Sequence, residues 1–304
     1  SCAMACAKPW ISDLGFILKK DGTCDVVGAG SLGARPALGI HLYDSVSPRA
    51  VLPLCVAAIE FFCDQGDREN RRRARFRHVR EKLGDDEFRQ QLRERFGKAK
   101  GHGQWPEPLV IPDNVNLKLL WRLQLPGGNI DPRDAVLLAD SAEPRGAELR
   151  INLEHGIELY GEAVFELPPN LAALEDNAIV IACPGAKSCR RGLTDTQEVT
   201  DTLRHNLRAR LDRPVRICIS GCPNGCAHSA VADVGLTGMI RTREGRRAEE
   251  FHLLTGGGNG SDNRLSQEGG TTPKCDVCFQ VEGFLRDRGY LGTSGPATEV
   301  SQGS

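Results

Sequence analysis

The chain holds 304 residues, with 39 lysines and arginines against 40 aspartates and glutamates, a net charge of -1. That balance gives no global field to draw nucleic acid or an anionic membrane, and no apolar run approaches the roughly 20 residues that span a bilayer. Its 12 cysteines fall well under the roughly 8–10% of a secreted disulfide scaffold. Most stand in close pairs, so a soluble, non-secreted, cytoplasmic protein with thiols on metal is expected. In chain order, residues 1–45 read as strand and turn: "GFILKK", a turn at Asp21-Gly22, then "TCDVVGAGSLG". From Pro48 to Phe96 the pattern is helical, first the apolar "AVLPLCVAAIEFFC" and then the charged "DRENRRRARFRHVREKLGDDEFRQQLRERF". The Gly- and Pro-rich stretch from Gly97 to Pro112 marks a boundary. Beyond it lie strand "LKLLWRLQLP", a helix opened by Asp131 and Pro132, and strand "AELRINLEHGIELYG". Strand "AIVIAC", a cysteine turn, helix "DTQEVTDTLRHNLRARL", strand "VRICIS" and a second cysteine turn follow.

The chain repeats itself. "SCAMACAKPWISDLG" falls into register with "ISGCPNGCAHSAVADVGLTG": Cys2 under Cys222, Cys6 under Cys226, Asp13 under Asp233, Gly15 under Gly235. Residues 239–292 repeat the strand, turn, glycine and helix order of residues 16–66, with "FHLLTGGGNG" where "CDVVGAGSLG" stood. A partial tandem duplication accounts for both echoes.

Four cysteines stand apart, Cys183 and Cys189 in "ACPGAKSC" and Cys222 and Cys226 in "GCPNGC". Each pair follows a β-rich run and sits in a Pro/Gly turn, where backbone amides can point at a bound thiolate or sulfide and offset its negative charge. One pair alone reads as small buried cysteines. Two pairs read as metal, and the five-residue gap from Cys183 to Cys189 is wide for a zinc knuckle. An iron–sulfur cluster leads.

These residues resemble the signature of the sirohaem- and iron–sulfur-containing sulfite and nitrite reductases, whose C-x5-C and C-x3-C pairs bind a [4Fe–4S] cluster. The resemblance extends to "GDRENRRRARFRHVREKLGDDEF", similar to the Arg-rich helix of that family's first half, and to residues 109–166, similar to its second ferredoxin-like repeat. It implies an α+β fold of tandem, pseudo-twofold ferredoxin-like repeats and sirohaem/[4Fe–4S] half-domains. Residues 1–104 would be the later part of the first half-domain, 105–172 a ferredoxin-like repeat, 173–292 the second half-domain and 293–304 a disordered tail. The N-terminal part of the family pattern is expected to be missing, with the basic residues that grip the anion upstream of Ser1.

By the same resemblance, Cys183, Cys189, Cys222 and Cys226 are the expected cluster ligands. Cys226 would also be the axial thiolate of the sirohaem iron. Asn224 would bond a tetrapyrrole carboxylate; equally, an Asn before a Gly can serve only a left-handed turn. Where the family shows R-x-T-x-x-Q, this chain has Arg150, Asn152 and His155, which retain cofactor-bonding groups. The function implied is six-electron reduction of sulfite to sulfide or nitrite to ammonia, with electrons from ferredoxin or a similar donor. A related precorrin-3B synthase-like enzyme, and an iron–sulfur electron-transfer module without sirohaem, are the alternatives.

Other signals carry less. "GAGSLG" has dinucleotide-fingerprint spacing at Gly28, Gly30 and Gly33, but Pro36 and the absence of a following helix argue for a structural turn. The run from Arg68 to Arg80 reads mainly as a solvated helix face, with contact to cofactor carboxylates or an acidic electron donor as the second reading. Cys275 and Cys278 are expected to be incidental thiols, and Cys24, Cys55, Cys63 and Cys218 to be core.

Overall fold

Strand propensity in the first 46 residues produces a three-stranded antiparallel meander of β1 (Leu14–Leu18), β2 (Cys24–Gly28) and β3 (Ile40–Val46), in that order. Asp21 closes the first hairpin by accepting the Thr23 N–H at 2.9 Å. The computed structural model describes residues 1–108, 117–243, 245–258 and 260–291, so the tail expected at 293–304 lies outside the described residues. The chain divides into two units: residues 1–115 with 224–226 and 256–267, and residues 116–223, 227–255 and 268–304.

In the first unit the meander is covered by α1 (Val51–Gln65), α2 (Phe76–Leu83) and α3 (Asp85–Gly101). Phe61, Phe76 and Phe88 form its centre, with ring centroids 4.7 to 5.6 Å apart. The charged run is broken by Gly84 at φ 84°, a left-handed value that separates α2 from α3. Helix α3 runs through Gly97 to Gly101, so the inter-domain stretch starts later than the glycines imply. The arginine run is a solvated face only in part: Arg68, Arg72, Arg73 and Arg75 are exposed, but Arg77 and Arg80 turn inward. Arg77 is 7% exposed and donates to the Arg35 carbonyl, Arg80 donates to the Leu38 carbonyl at 3.0 Å, and Arg75 grips Asp13 in a fork of 2.8 to 3.2 Å. Arg77 and Arg80 thus hold the segment that follows "GAGSLG". That segment folds back on itself through Ser31 and Ala37, and a Cβ on Gly30 would lie 2.2 Å from the Trp10 carbonyl oxygen. Gly28 and Gly30 serve close backbone approach and Gly33 a φ of 118°, and no helix follows them.

The second unit begins with β4 (Lys118–Leu123), α4 (Pro132–Ala142), β5 (Glu148–Ile151), β6 (Ile157–Gly161) and α5 (Pro169–Ala172). The sheet is antiparallel in the order β4-β6-β5, packed on Leu138, Leu159 and Leu171. Asp131 caps α4 by accepting the Arg133 N–H at 2.8 Å. The stretch expected as one strand at 147–161 is a hairpin. Asn152 Oδ1 accepts the N–H groups of Glu154 and Gly156, and His155 takes φ 60°.

The larger sheet contains β7 (Ala178–Ala182), β8 (Val215–Ser220), β9 (Val234–Arg243), β10 (Arg246–Thr255) and β11 (Gln267–Pro273), in the order β11-β10-β9-β8-β7. Strands β7, β8 and β9 run parallel. Helix α6 (Thr196–Leu207) crosses from β7 to β8, and α7 (Val277–Asp287) is the last element among the described residues. Leu203, Leu207, Ile217, Phe251 and Val281 are fully buried in this core, about 1.5–3 kcal/mol each by area. The parallel step from β8 to β9 is made by residues 221–233, which contain only a short 3-10 turn, Ser229–Val231.

Backbone angles carry the duplication. At an offset of 220, Ala5 (φ 53°) matches Gly225 (φ 69°), Lys8 (φ 59°) matches His228 (φ 63°), and the 3-10 turn Pro9–Ile11 matches Ser229–Val231. Gly15 and Gly235 are glycine for one reason: a Cβ there would lie 2.7 Å from the Pro9 oxygen and 2.1 Å from the Ser229 oxygen, respectively. At an offset of 227, Ala29 (φ 59°) matches Gly256 (φ 71°), Gly33 (φ 118°) matches Gly260 (φ 105°), and the Ser31–Ala37 bridge matches Gly258–Arg264.

Candidate metal centre

The C-terminal ends of parallel β7 and β8 release two of the expected ligands side by side. Cys183 directly follows β7, and Cys222 stands two residues beyond β8. Cys183 donates its N–H to the Ile219 carbonyl at 3.1 Å, continuing the ladder, while the Gly221 N–H points at Cys183 Sγ at 3.1 Å. The turn from Cys183 to Cys189 is closed by the Cys189 N–H on the Gly185 carbonyl at 2.9 Å. Three glycines allow close backbone approach here, and of these Gly221 brings the second turn onto the first. A Cβ on Gly192 would lie 2.5 Å from the Gly185 carbonyl carbon, one on Gly221 3.0 Å from Gly185 Cα, and one on Gly185 2.5 Å from Thr196 Oγ1. Cys183 is half-buried, Cys189 exposed and Cys222 9% exposed.

Helix α6 fixes the same turn from behind. Asp195 caps it, accepting the N–H groups of Gln197 at 3.0 Å and Glu198 at 3.3 Å, and pairs with Lys187 at 3.3 Å. Burial raises the Asp195 pKa, but the Glu198 N–H, Lys187 and the Gln197 N–H outweigh it and hold the carboxyl below its ordinary value. Thr196 Oγ1 donates to the Cys183 carbonyl at 2.5 Å. The Asp195 N–H reaches Glu249 at 3.3 Å, and Glu249 in turn pairs with Lys274 at 3.1 Å. Residue-type reasoning passed over Lys187, Asp195 and Thr196; the signal present was an Asp at the N-cap of the helix after the cysteine turn.

Asn224 and Cys226 go with the first unit, where Gly225 at φ 69° lies against Leu32 and Gly33, 3.6 to 3.7 Å from a Cβ in its place. Cys226 is exposed. Arg150 donates to Glu148 at 2.7 Å and stacks over Tyr160 at 4.3 Å, Asn152 shapes its hairpin turn, and His155 sits at the left-handed position of that turn. Cys278 accepts the Asn206 amide at 2.9 Å, and burial pushes both its thiol and that of Cys275 up. Cys24 and Cys218 are buried and Cys55 is half-buried, whereas Cys63 is exposed: it falls on the solvent side of α1 rather than in the core.

Among the described residues, no three His, Cys, Asp or Glu side chains converge on one point as ligands of a single ion would. The thiolates of a cubane cluster each hold a different iron, and the Gly221 N–H aimed at Cys183 sulfur is the kind of donor that steadies such charge. The donor set and its glycine-lined turns therefore fit an iron–sulfur cluster.

The comparisons agree with that chemistry. The chain spans roughly half the length of the curated relatives it matches. It is 29% identical over 295 residues to a ferredoxin–nitrite reductase of Synechococcus elongatus, covering 88% of this chain and 57% of the relative. It is 28% identical over 271 residues to a ferredoxin sulfite reductase of Mycolicibacterium paratuberculosis, covering 80% and 49%. The solved structure of the Mycobacterium tuberculosis NirA protein superposes with a TM-score of 0.72 at 21% identity, over 94% of this chain and 59% of that one, a likeness of fold. The family model "Nitrite and sulphite reductase 4Fe-4S domain" matches residues 1–100 and 176–284, which take in both copies of the cysteine turn, so this chain belongs to that family.

Proposed function

We propose that this chain is the cluster-bearing part of a sirohaem-dependent reductase that takes nitrite to ammonia or sulfite to sulfide, with electrons from a ferredoxin-like donor. The carrying observation is the pair of turns at the ends of β7 and β8, where Gly221 N–H meets Cys183 Sγ. In this reading Cys183, Cys189, Cys222 and Cys226 hold a [4Fe–4S] cluster, and Cys226 also serves the sirohaem iron. When bound, these groups supply single-electron transfer to an anion on the iron.

The chain's own residues orient and shield. The Gly221 N–H offsets thiolate charge, and Thr196 and Asp195 fix the Cys183–Cys189 turn to α6. For sirohaem, Asn224 is the contact the turn itself supplies. Arg150, Asn152 and His155 are proposed contacts that carry local duties, and a tetrapyrrole carboxylate would have to displace Glu148 from Arg150. Residues that grip the anion are assigned to the part of the relatives' length this chain does not span, a first half supplied on the same or another polypeptide.

Anaerobic reconstitution tests the reading. About four irons and four acid-labile sulfides per chain are expected, and Cys226→Ser should weaken the cluster and sirohaem absorption together. Stoichiometric zinc without sulfide would refute the cluster, and a Cys226→Ser protein that loses sirohaem but keeps a full cluster would refute the shared thiolate.

A further inference from the structure

The first copy of the cysteine turn has no role in the reading above, yet it is built with care. The Ala5 N–H donates to the Cys2 carbonyl at 2.8 Å, and the Lys8 N–H to the Ala5 carbonyl at 3.0 Å. Ala5 is 2% exposed and holds φ 53°, a left-handed conformation an alanine adopts only when its surroundings impose it. The residues flanking the two cysteines are tied together: the Ala7 N–H donates to Ser1 Oγ at 3.3 Å. Ser1 is itself pinned to β1, donating to the Phe16 carbonyl at 2.7 Å and accepting the Leu18 N–H at 2.7 Å. This closed loop carries Cys2 and Cys6, both exposed and close enough for the Cys6 thiol to hydrogen-bond Cys2. Two thiols are the number a disulfide needs.

We propose that Cys2 and Cys6 form a redox-active dithiol that exchanges with small-molecule disulfides of the glutathione class. The Cys2 thiolate attacks the S–S bond of the small disulfide, forming a mixed disulfide and releasing one thiolate, which takes up a proton. The Cys6 thiolate then attacks Cys2 sulfur and expels the second thiol. The balance is protein dithiol plus RSSR giving protein disulfide plus two RSH, and excess thiol reverses it.

The electrostatics agree. The Met4 N–H, then the Cys6 thiol, hold Cys2 below the ordinary thiol range, whereas Cys275, also exposed, is pushed up, chiefly by burial and by Asp276. The attacking group is thus the thiol already biased toward thiolate.

The test uses the reduced chain, oxidised glutathione, an alkylating quench and mass analysis of the peptide ending at Lys19, in which Cys2 and Cys6 are the only cysteines. The peptide should become lighter by two hydrogens, resist alkylation, and recover with dithiothreitol. Cys6→Ser should trap glutathione on Cys2. In the reduced protein Cys2 should alkylate several-fold faster than Cys275 at neutral pH. Stable glutathione adducts on the unaltered peptide without ring closure, or Cys2 reacting no faster than Cys275, would overturn the proposal.

Discussion

Replacing Asp195 by alanine separates the two duties its carboxylate performs behind the cysteine turn. As N-cap of α6 it satisfies the Gln197 and Glu198 N–H groups, a role whose loss costs about 1 kcal/mol. As partner of Lys187, whose side chain is 61% exposed, it contributes at most about 1 kcal/mol after solvent screening. Asp195→Ala should therefore destabilise by about 1–2 kcal/mol, or about 2–8 °C in melting temperature for a unit of this size. Asp195→Asn keeps an acceptor at the cap and loses only the ion pair, so it should cost less than half as much. Differential scanning calorimetry and iron retained after gel filtration read the two effects. Because the folded pKa of Asp195 is depressed, its stabilisation is complete above the unfolded value of about 3.9 and fades only as pH falls through the lower folded value. The gap between wild type and Asp195→Ala should thus be flat from pH 5 to about 8. Equal losses in the Asn and Ala variants, or a gap that shrinks near neutrality, would refute the capping argument.

Gly192→Ala forces a methyl group into the Gly185 backbone and should lower iron and sulfide content and melting temperature together, measured on reconstituted protein; full cluster content would show that the Cys183–Cys189 turn can loosen without loss. Cys183→Ser, Cys189→Ser and Cys222→Ser should each reduce iron and sulfide in step, while the Cys275→Ser/Cys278→Ser double variant retains both. Arg77→Met removes a buried donor to the Arg35 carbonyl and should expose the peptide bonds around Arg35 to limited trypsin digestion, with about 1.5–3 kcal/mol lost. Tyr43, whose hydroxyl is buried without a hydrogen-bond partner among the described residues, has its pKa pushed up to about 12 by burial. Its acid form is favoured in the folded state, so stability should fall as pH rises from about 10 toward 12, and Tyr43→Phe should abolish that part of the loss in a pH-resolved urea titration.

The sequence made the cysteine turns and the duplication legible because both rest on local backbone demands. Left-handed positions and close approaches recur at fixed offsets, so Gly15 and Gly235 stand out without any knowledge of tertiary contacts. The arginine run misled at Arg77 and Arg80 for the opposite reason. Charge composition describes a helix face in isolation, and nothing in "RRRARFRHVR" says that Arg77 and Arg80 will find carbonyls more than forty residues upstream. The same blindness hid the break at 152–156, where Asn152 turns a continuous strand pattern into a hairpin, and placed Cys63 in the core when helical phase sets it on the outer side of α1. Around the site, the ligand candidates were visible as a pattern of spacing. The supports, Lys187, Asp195, Thr196 and Glu249, were not, since a cap or ion pair is recognised only when its partner is known.

The step from β8 to β9 carries a consequence for assembly order. Parallel neighbours need a crossover of about a dozen residues, commonly a helix with a buried face that pulls the second strand into place. Here thirteen residues, 221–233, make the step with one 3-10 turn, anchored by Ser229 Oγ on Ser220 Oγ at 3.2 Å and Thr237 Oγ1 at 3.0 Å and by the Ala227 N–H on Ser220 at 3.2 Å. So small an apolar contribution gives β9 little reason to dock on β8 before its ten-residue antiparallel hairpin with β10 has formed. The hairpin should form first and add to β8 as a preassembled ribbon, leaving the Cys222-bearing crossover as the last stretch of this sheet to become protected from hydrogen exchange.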